Sequence, residues 1–155
     1  MPRIEAEADI SASPETVWTF LADPSYAPRL SANVISVEAD PPGLSTVGQK
    51  LHFTAKVARR KVEALGEVAE VEANRKLVIR QRPGGLFKSF TATQLIEPTK
   101  KGTHATFTFD YEPSMGYLGK ILTPILVNRA LRRDVNTTVR NLKEIAELKE
   151  MPKTG

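Results

Sequence analysis

The 155-residue chain contains no cysteine, which excludes a disulfide scaffold, a thiolate metal site and a cysteine nucleophile together. Histidine is scarce: His52 and His104 are the only two, and they stand far apart, so no metal site is expected. No apolar run approaches the roughly 18 residues that a membrane span requires. The opening MPRIEAEADI alternates apolar and acidic residues and lacks the basic-then-apolar order of a secretion signal. A soluble, cytoplasmic protein is therefore expected. Phosphate loops, dinucleotide fingerprints and Gly-x-Ser-x-Gly elbows are all missing, so no cofactor is expected either.

What is present is a sequence able to bury a core. Apolar residues make up 41% and charged residues 26%, and the length suits one domain and not two. Residues 1–150 read as that domain, and 151–155 as a disordered tail. Lys and Arg number 22 against 18 Asp and Glu, a net charge of +4 that speaks to solubility before it speaks to any anionic partner.

Arg3 to Ile10 alternates Ile4, Ala6, Ala8 and Ile10 with charged residues, the period of a half-buried strand. Ser13-Pro14-Glu15 then supplies an N-cap, a proline at the first helical position and an acid in the first turn. Val17, Trp18 and Leu21 share a face of this helix, and Asp23-Pro24 ends it. A second short helix or turn is expected within Ser25–Leu30.

Six strand-like runs follow: Asn33–Asp40, Gly48–Val57, Arg60–Glu72, Leu77–Arg82, Leu86–Glu97 and Thr103–Glu112. Turn chemistry separates them, including Asp40-Pro41-Pro42-Gly43, Ala73-Asn74-Arg75 and Pro83-Gly84-Gly85. Such short links predict antiparallel pairing of consecutive strands.

The tail from Tyr117 to Lys149 is rich in helix formers, with Pro124 inside it to kink or divide the helix. Leu131, Val135, Val139, Leu142 and Ile145 centre on one stripe, whereas Leu118, Ile121, Leu122, Ile125 and Leu126 centre on another. The order predicts an α+β fold: a curved antiparallel sheet of about seven strands, two short helices after the first strand, and a long C-terminal helix. Leu51, Phe53 and Ala55, and likewise Phe107, Phe109 and Tyr111, are placed on the concave side. Phe90 and Ile96 join them, with Phe87 and Leu95 opposite.

The segment from Ala12 to Pro24, ASPETVWTFLADP, resembles the opening of the START-like or SRPBCC superfamily, particularly its polyketide cyclase/dehydrase-like branch. Gly48 before the third strand and Gly102-Thr103 before the last one match as well. The resemblance implies a helix-grip fold with a cavity between the sheet and the long helix, open to lipids, polyketides or similar apolar molecules. One departure concerns the cavity's lip: the position after the second proline is commonly aromatic, whereas here Pro28 is followed by Arg29 and Leu30.

On that resemblance the ligand-binding candidates on the sheet are Leu51, Phe53, Phe90, Phe107, Phe109 and Tyr111. Those on the tail are Met115, Leu118, Ile121, Leu122 and Ile125. Gln49, Gln94, Asn33, Arg80, Gln81 and Arg82 are weighed as polar groups that either orient a ligand or lie on the outer face. The leading reading is a non-enzymatic carrier or sensor of a hydrophobic small molecule.

Two other readings stand beside it. A cyclase or dehydratase without metal would need an inward group such as Tyr111, Asp110, Arg80, Glu112 or a histidine, and both histidines read as convex-face residues. An interaction protein would use the basic clusters Arg59-Arg60-Lys61 and Arg129, Arg132, Arg133. Asp134, Glu144, Glu147 and Glu150 balance the latter as a solvated face, and no nucleic-acid partner is expected. Asn136-Thr137-Thr138 matches a glycosylation acceptor, but its mid-helix setting makes the match a chance one.

Overall fold

The computed structural model describes residues 3–57, 59–85, 87–113 and 124–151. Strand β1 (Arg3–Ile10) leads into helix α1 (Pro14–Leu21), a 3₁₀ turn (Pro24–Tyr26) and the single-turn helix α2 (Ala27–Leu30). Strands β2 (Val34–Asp40), β3 (Lys50–Val57), β4 (Arg60–Glu72), β5 (Lys76–Gly85), β6 (Phe87–Thr99) and β7 (Gly102–Pro113) follow. Helix α3 (Pro124–Glu150) closes the chain. Among the described residues, no helix is long and apolar enough to cross a membrane.

The seven strands form one antiparallel sheet in the order β1-β7-β6-β5-β4-β3-β2. Consecutive strands from β2 to β7 pair as the short links predict. β1 lies beside β7 instead, because α1 and α2 separate it from β2 in sequence. Register shifts occur between Val34 and Ser36, Ala64 and Gly66, Val68 and Glu70, and Phe87 and Ser89. Each irregularity bends its strand and adds twist, which curls the sheet around α3.

Local chemistry sets the elements as read. The Ser13 hydroxyl accepts from the Thr16 amide at the start of α1. Val17, Phe20 and Leu21 are the buried face of that helix, with Trp18 half-buried beside them. At the turn into β7, Gly102 has φ +148°, and a Cβ there would lie 2.3 Å from the Ile10 carbonyl oxygen. The fully buried Thr103 next to it donates its hydroxyl to the Ala12 carbonyl at 2.7 Å. Glycine and threonine thus let the start of β7 press directly on the β1–α1 connection.

Three expectations need correction or a boundary. Pro83-Gly84-Gly85 is not a turn but the end of β5, with Gly85 paired to Ala64. Phe87 is not opposite Phe90. Between Phe87 and Ser89 the register against β7 advances only from Pro113 to Glu112, so one extra residue on β6 turns both rings to the concave side. The helix expected from Tyr117 is described from Pro124 onward; its earlier part lies outside the described residues, as do 152–155 of the expected tail. The expected stripe of α3 is buried at Leu131, Val135, Val139 and Leu142, with Val127 and Ala146 extending it.

Candidate ligand cavity

Between the concave sheet face and the first half of α3 lies a cavity of about 220 Å³. Its floor is aromatic. Phe90 stacks on Phe109 with ring centroids 5.4 Å apart, and Phe87 meets both edge-on at 5.6 Å. Phe53, Phe107 and Leu51 continue this surface, and the small side chains of Ala55, Ala64 and Ala92 leave the space above it. A Cβ on Gly66 would stand 2.8 Å from Ile79 Cγ2, so the absence of a side chain there makes room for Ile79, with the Phe53 and Phe90 rings 3.5 Å away at ordinary contact. From the helix side Leu131, Asp134, Val135 and Thr138 form the roof.

Five of the expected lining residues come together here: Leu51, Phe53, Phe90, Phe107 and Phe109. Tyr111 is buried beside the wall, where its hydroxyl accepts from Asn128 Nδ2 at 2.8 Å and braces the sheet against α3. Ile125 is 71% exposed and outside the described wall. It precedes Leu131 by six residues, about 120° round the helix from the inward stripe. Met115, Leu118, Ile121 and Leu122 lie outside the described residues.

The polar candidates divide. Asn33 and Gln94 are in the wall. Gln49, fully buried, instead donates Nε2 to the Pro41 and Gly43 carbonyls at 2.9 and 3.1 Å and holds the β2–β3 loop. Gln81 donates to the Phe87 carbonyl, and Arg80 is exposed.

The groups that a cyclase reading called on have other engagements. Asp110 pairs with Arg3 at 2.7 Å and Glu112 with Lys88 at 3.4 Å. His52 lies 3.3 Å from Glu63, and His104 lies 2.7 Å from Asp9 and 3.2 Å from Glu7. Hydrogen bonds that the His104 ring donates to Asp9, and then to Glu7, raise its pKa. None of these groups is in the described wall.

The rim holds a cluster that the sequence reading placed elsewhere. Asp134 is not part of a solvated acidic face: its Oδ1 accepts from the Ser31 hydroxyl and from the Ala32 and Asn33 amides, the last two at 2.7 and 3.2 Å. Ser31 in turn accepts from the Asn33 and Val34 amides at 3.1 and 3.0 Å. Asn33 Nδ2 donates to the Ala130 carbonyl at 3.2 Å. This latch ties the α2–β2 loop to α3. A signal for it exists, because Leu131, Asp134, Val135 and Thr138 are spaced i, i+3, i+4, i+7 and so share one face. At the departing lip, Leu30 is buried in the wall while the Arg29 guanidinium sits 5.7 Å from the centre of the Tyr26 ring.

The sequence matches the family model described as polyketide cyclase/dehydrase and lipid transport over residues 1–147. The chain belongs to that family. Its fold is that of the SRPBCC superfamily, with the expected helix grip. TTHA0849 of Thermus thermophilus is similar over 97% of this chain and all of its own, at 23% identity and a TM-score of 0.79. The ginseng major latex-like protein 151 of Panax ginseng is similar over 97% of this chain and 98% of its own, at 16% identity and a TM-score of 0.67. The di-domain ARO/CYC StfQ of the steffimycin biosynthetic pathway is similar over 95% of this chain and 51% of its own, at 15% identity and a TM-score of 0.70. Likeness at these identities establishes the fold alone. No curated protein matches the sequence.

Proposed function

We propose that this protein binds a mainly apolar small molecule in the cavity between the sheet and α3, as a carrier or sensor. One observation carries the reading: a space of about 220 Å³ lies beside a wall rich in phenylalanine, leucine, valine and alanine, where interiors are ordinarily close-packed. A guest burying about 300 Å² of apolar surface would gain roughly 7 kcal/mol before association costs, enough for micromolar affinity at best. Family membership supports the same reading, and the lipid, polyketide or other identity of the guest follows from experiment.

Native mass spectrometry of the purified protein tests it, combined with thermal shifts against a panel of apolar molecules. A co-purified small molecule, or stabilisation by several panel members, is expected. Ala92→Phe, which places a ring in the space over Phe109, should abolish either signal while the protein still folds. No adduct and no shift in the parent protein would sink the proposal.

A further inference from the structure

Charge in the described wall has one sign. Asp23 and Asp134 are its charged residues, and no lysine, arginine or histidine lines it among the described residues. This runs against the chain as a whole, which carries +4. Neither carboxylate is loosely held. Asp134 Oδ1 is fixed by the Ala32 and Asn33 amides, and Asp23 Oδ1 accepts from the Ser25 amide and hydroxyl at 3.0 and 2.7 Å. In both residues Oδ2 has no hydrogen bond among the described residues, which leaves an acceptor at the wall.

We infer that the cavity selects neutral or cationic guests bearing an O–H or N–H donor and discriminates against carboxylates and sulfonates. The inference rests on the binding reading above and adds the sign of charge to it. An anionic group entering an apolar space loses its hydration and meets two fixed negative charges. Both carboxylates are half-buried, so bulk salt, which screens charges in water over about 8 Å at physiological strength, screens them only in part. A hydroxyl or amine faces the opposite situation, because a carboxylate oxygen there accepts its proton in a charge-assisted hydrogen bond.

Two fluorescent probes with the same rings test the sign: neutral N-phenylnaphthylamine, which has an N–H donor, and its sulfonated counterpart anilinonaphthalenesulfonate. The neutral probe is expected to bind at least about ten-fold more tightly. Asp134→Asn and Asp23→Asn should each narrow that ratio by about three-fold or more, chiefly by strengthening the anion. Asparagine at 134 keeps an oxygen for the two loop amides, so the latch survives the change. Glu144→Gln, on an exposed face of α3 away from the wall, should leave the ratio unchanged.

Equal binding of the probes would overturn the inference while leaving the binding reading intact. So would a ratio unmoved by both asparagine variants, or moved as far by Glu144→Gln. Binding of both probes that Ala92→Phe does not disturb would mean that neither enters the cavity, which removes the binding reading and this inference with it.

Discussion

From Val139 onward α3 is sealed. Val139, Leu142 and Ala146 are 0–3% exposed, and the side chains around them hold the helix down. Lys143 Nζ donates to the Asp9 carbonyl at 2.8 Å, Glu147 accepts from the Ser11 amide at 2.9 Å, and Glu150 takes the Thr16 hydroxyl at 2.6 Å. Between Leu131 and Thr138 the same helix borders the cavity: Leu131 and Val135 are still buried, and the polar latch from Asp134 to the α2–β2 loop adds to the Asn128–Tyr111 brace one turn earlier. One helix therefore does two jobs. Its second half is packed as a core, and its first half shares its buried stripe with the cavity, where small alanine side chains leave space beside the phenylalanine rings of the floor.

Truncations break this comparison most directly. Leu142→Ala removes a fully buried side chain from the sealed half and is expected to cost about 3–4 kcal/mol. Leu131→Ala removes one that already faces the cavity, has fewer atoms around it, and should cost about half as much. Urea unfolding midpoints of the two variants measure the difference. Equal losses would mean that the two halves are packed alike.

A smaller effect is expected at the latch. Asp134→Ala deletes the acceptor shared by Ser31 and the Ala32 and Asn33 amides. Because the loop is partly exposed, water replaces some of these bonds, and the loss should be about 1 kcal/mol. Amide hydrogen exchange should accelerate at Ala32 and Asn33 and stay unchanged at Leu142. Faster exchange along the whole of α3 would show that the latch holds the helix and not only the rim.

The sequence carried the fold much further than the site. Alternation placed Leu51, Phe53, Phe107 and Phe109 on the concave side because a period of two survives wherever a ladder is regular. Phe87 escaped that logic, since a bulge inverts parity and nothing in Phe87-Lys88-Ser89 announces one. Pro83-Gly84-Gly85 has the composition of a turn, yet it is extended and paired with β4, so the partner strand overrode the local preference. Asp134 was hidden for another reason. Its charge, flanked by Arg132 and Arg133, reads as one half of a solvated pair; its spacing from Leu131 marks the inward face, but its partners lie in the distant Ser31–Asn33 loop.

The least disruptive way to sharpen the contrast is pH, because the titrating groups with shifted pKa in the sealed half are absent from the described wall of the hollow one. Hydrogen bonds from Lys143 and the Ser11 amide lower the Glu147 pKa, and those from Thr16 and the Ser13 amide lower that of Glu150, both from an ordinary value of 4.5. A depressed carboxylate adds stability above its ordinary value, and that stability disappears as pH falls through the folded one. His104, which pairs with Asp9 and Glu7 of β1, is raised above 6.5, so its contribution is full below 6.5 and lost as pH rises through the folded value. Both contributions are complete between the two ordinary values, 4.5 and 6.5. Melting temperature should therefore fall off gently on either side of that window; the groups are exposed, so the effect is small. Glu150→Gln should flatten the acid side and His104→Gln the alkaline side. Affinity for a neutral probe should not follow either limb. If it tracked the melting curve, the seal and the hollow would be one cooperative unit, and the division of α3 into a packed half and a binding half would have to be abandoned.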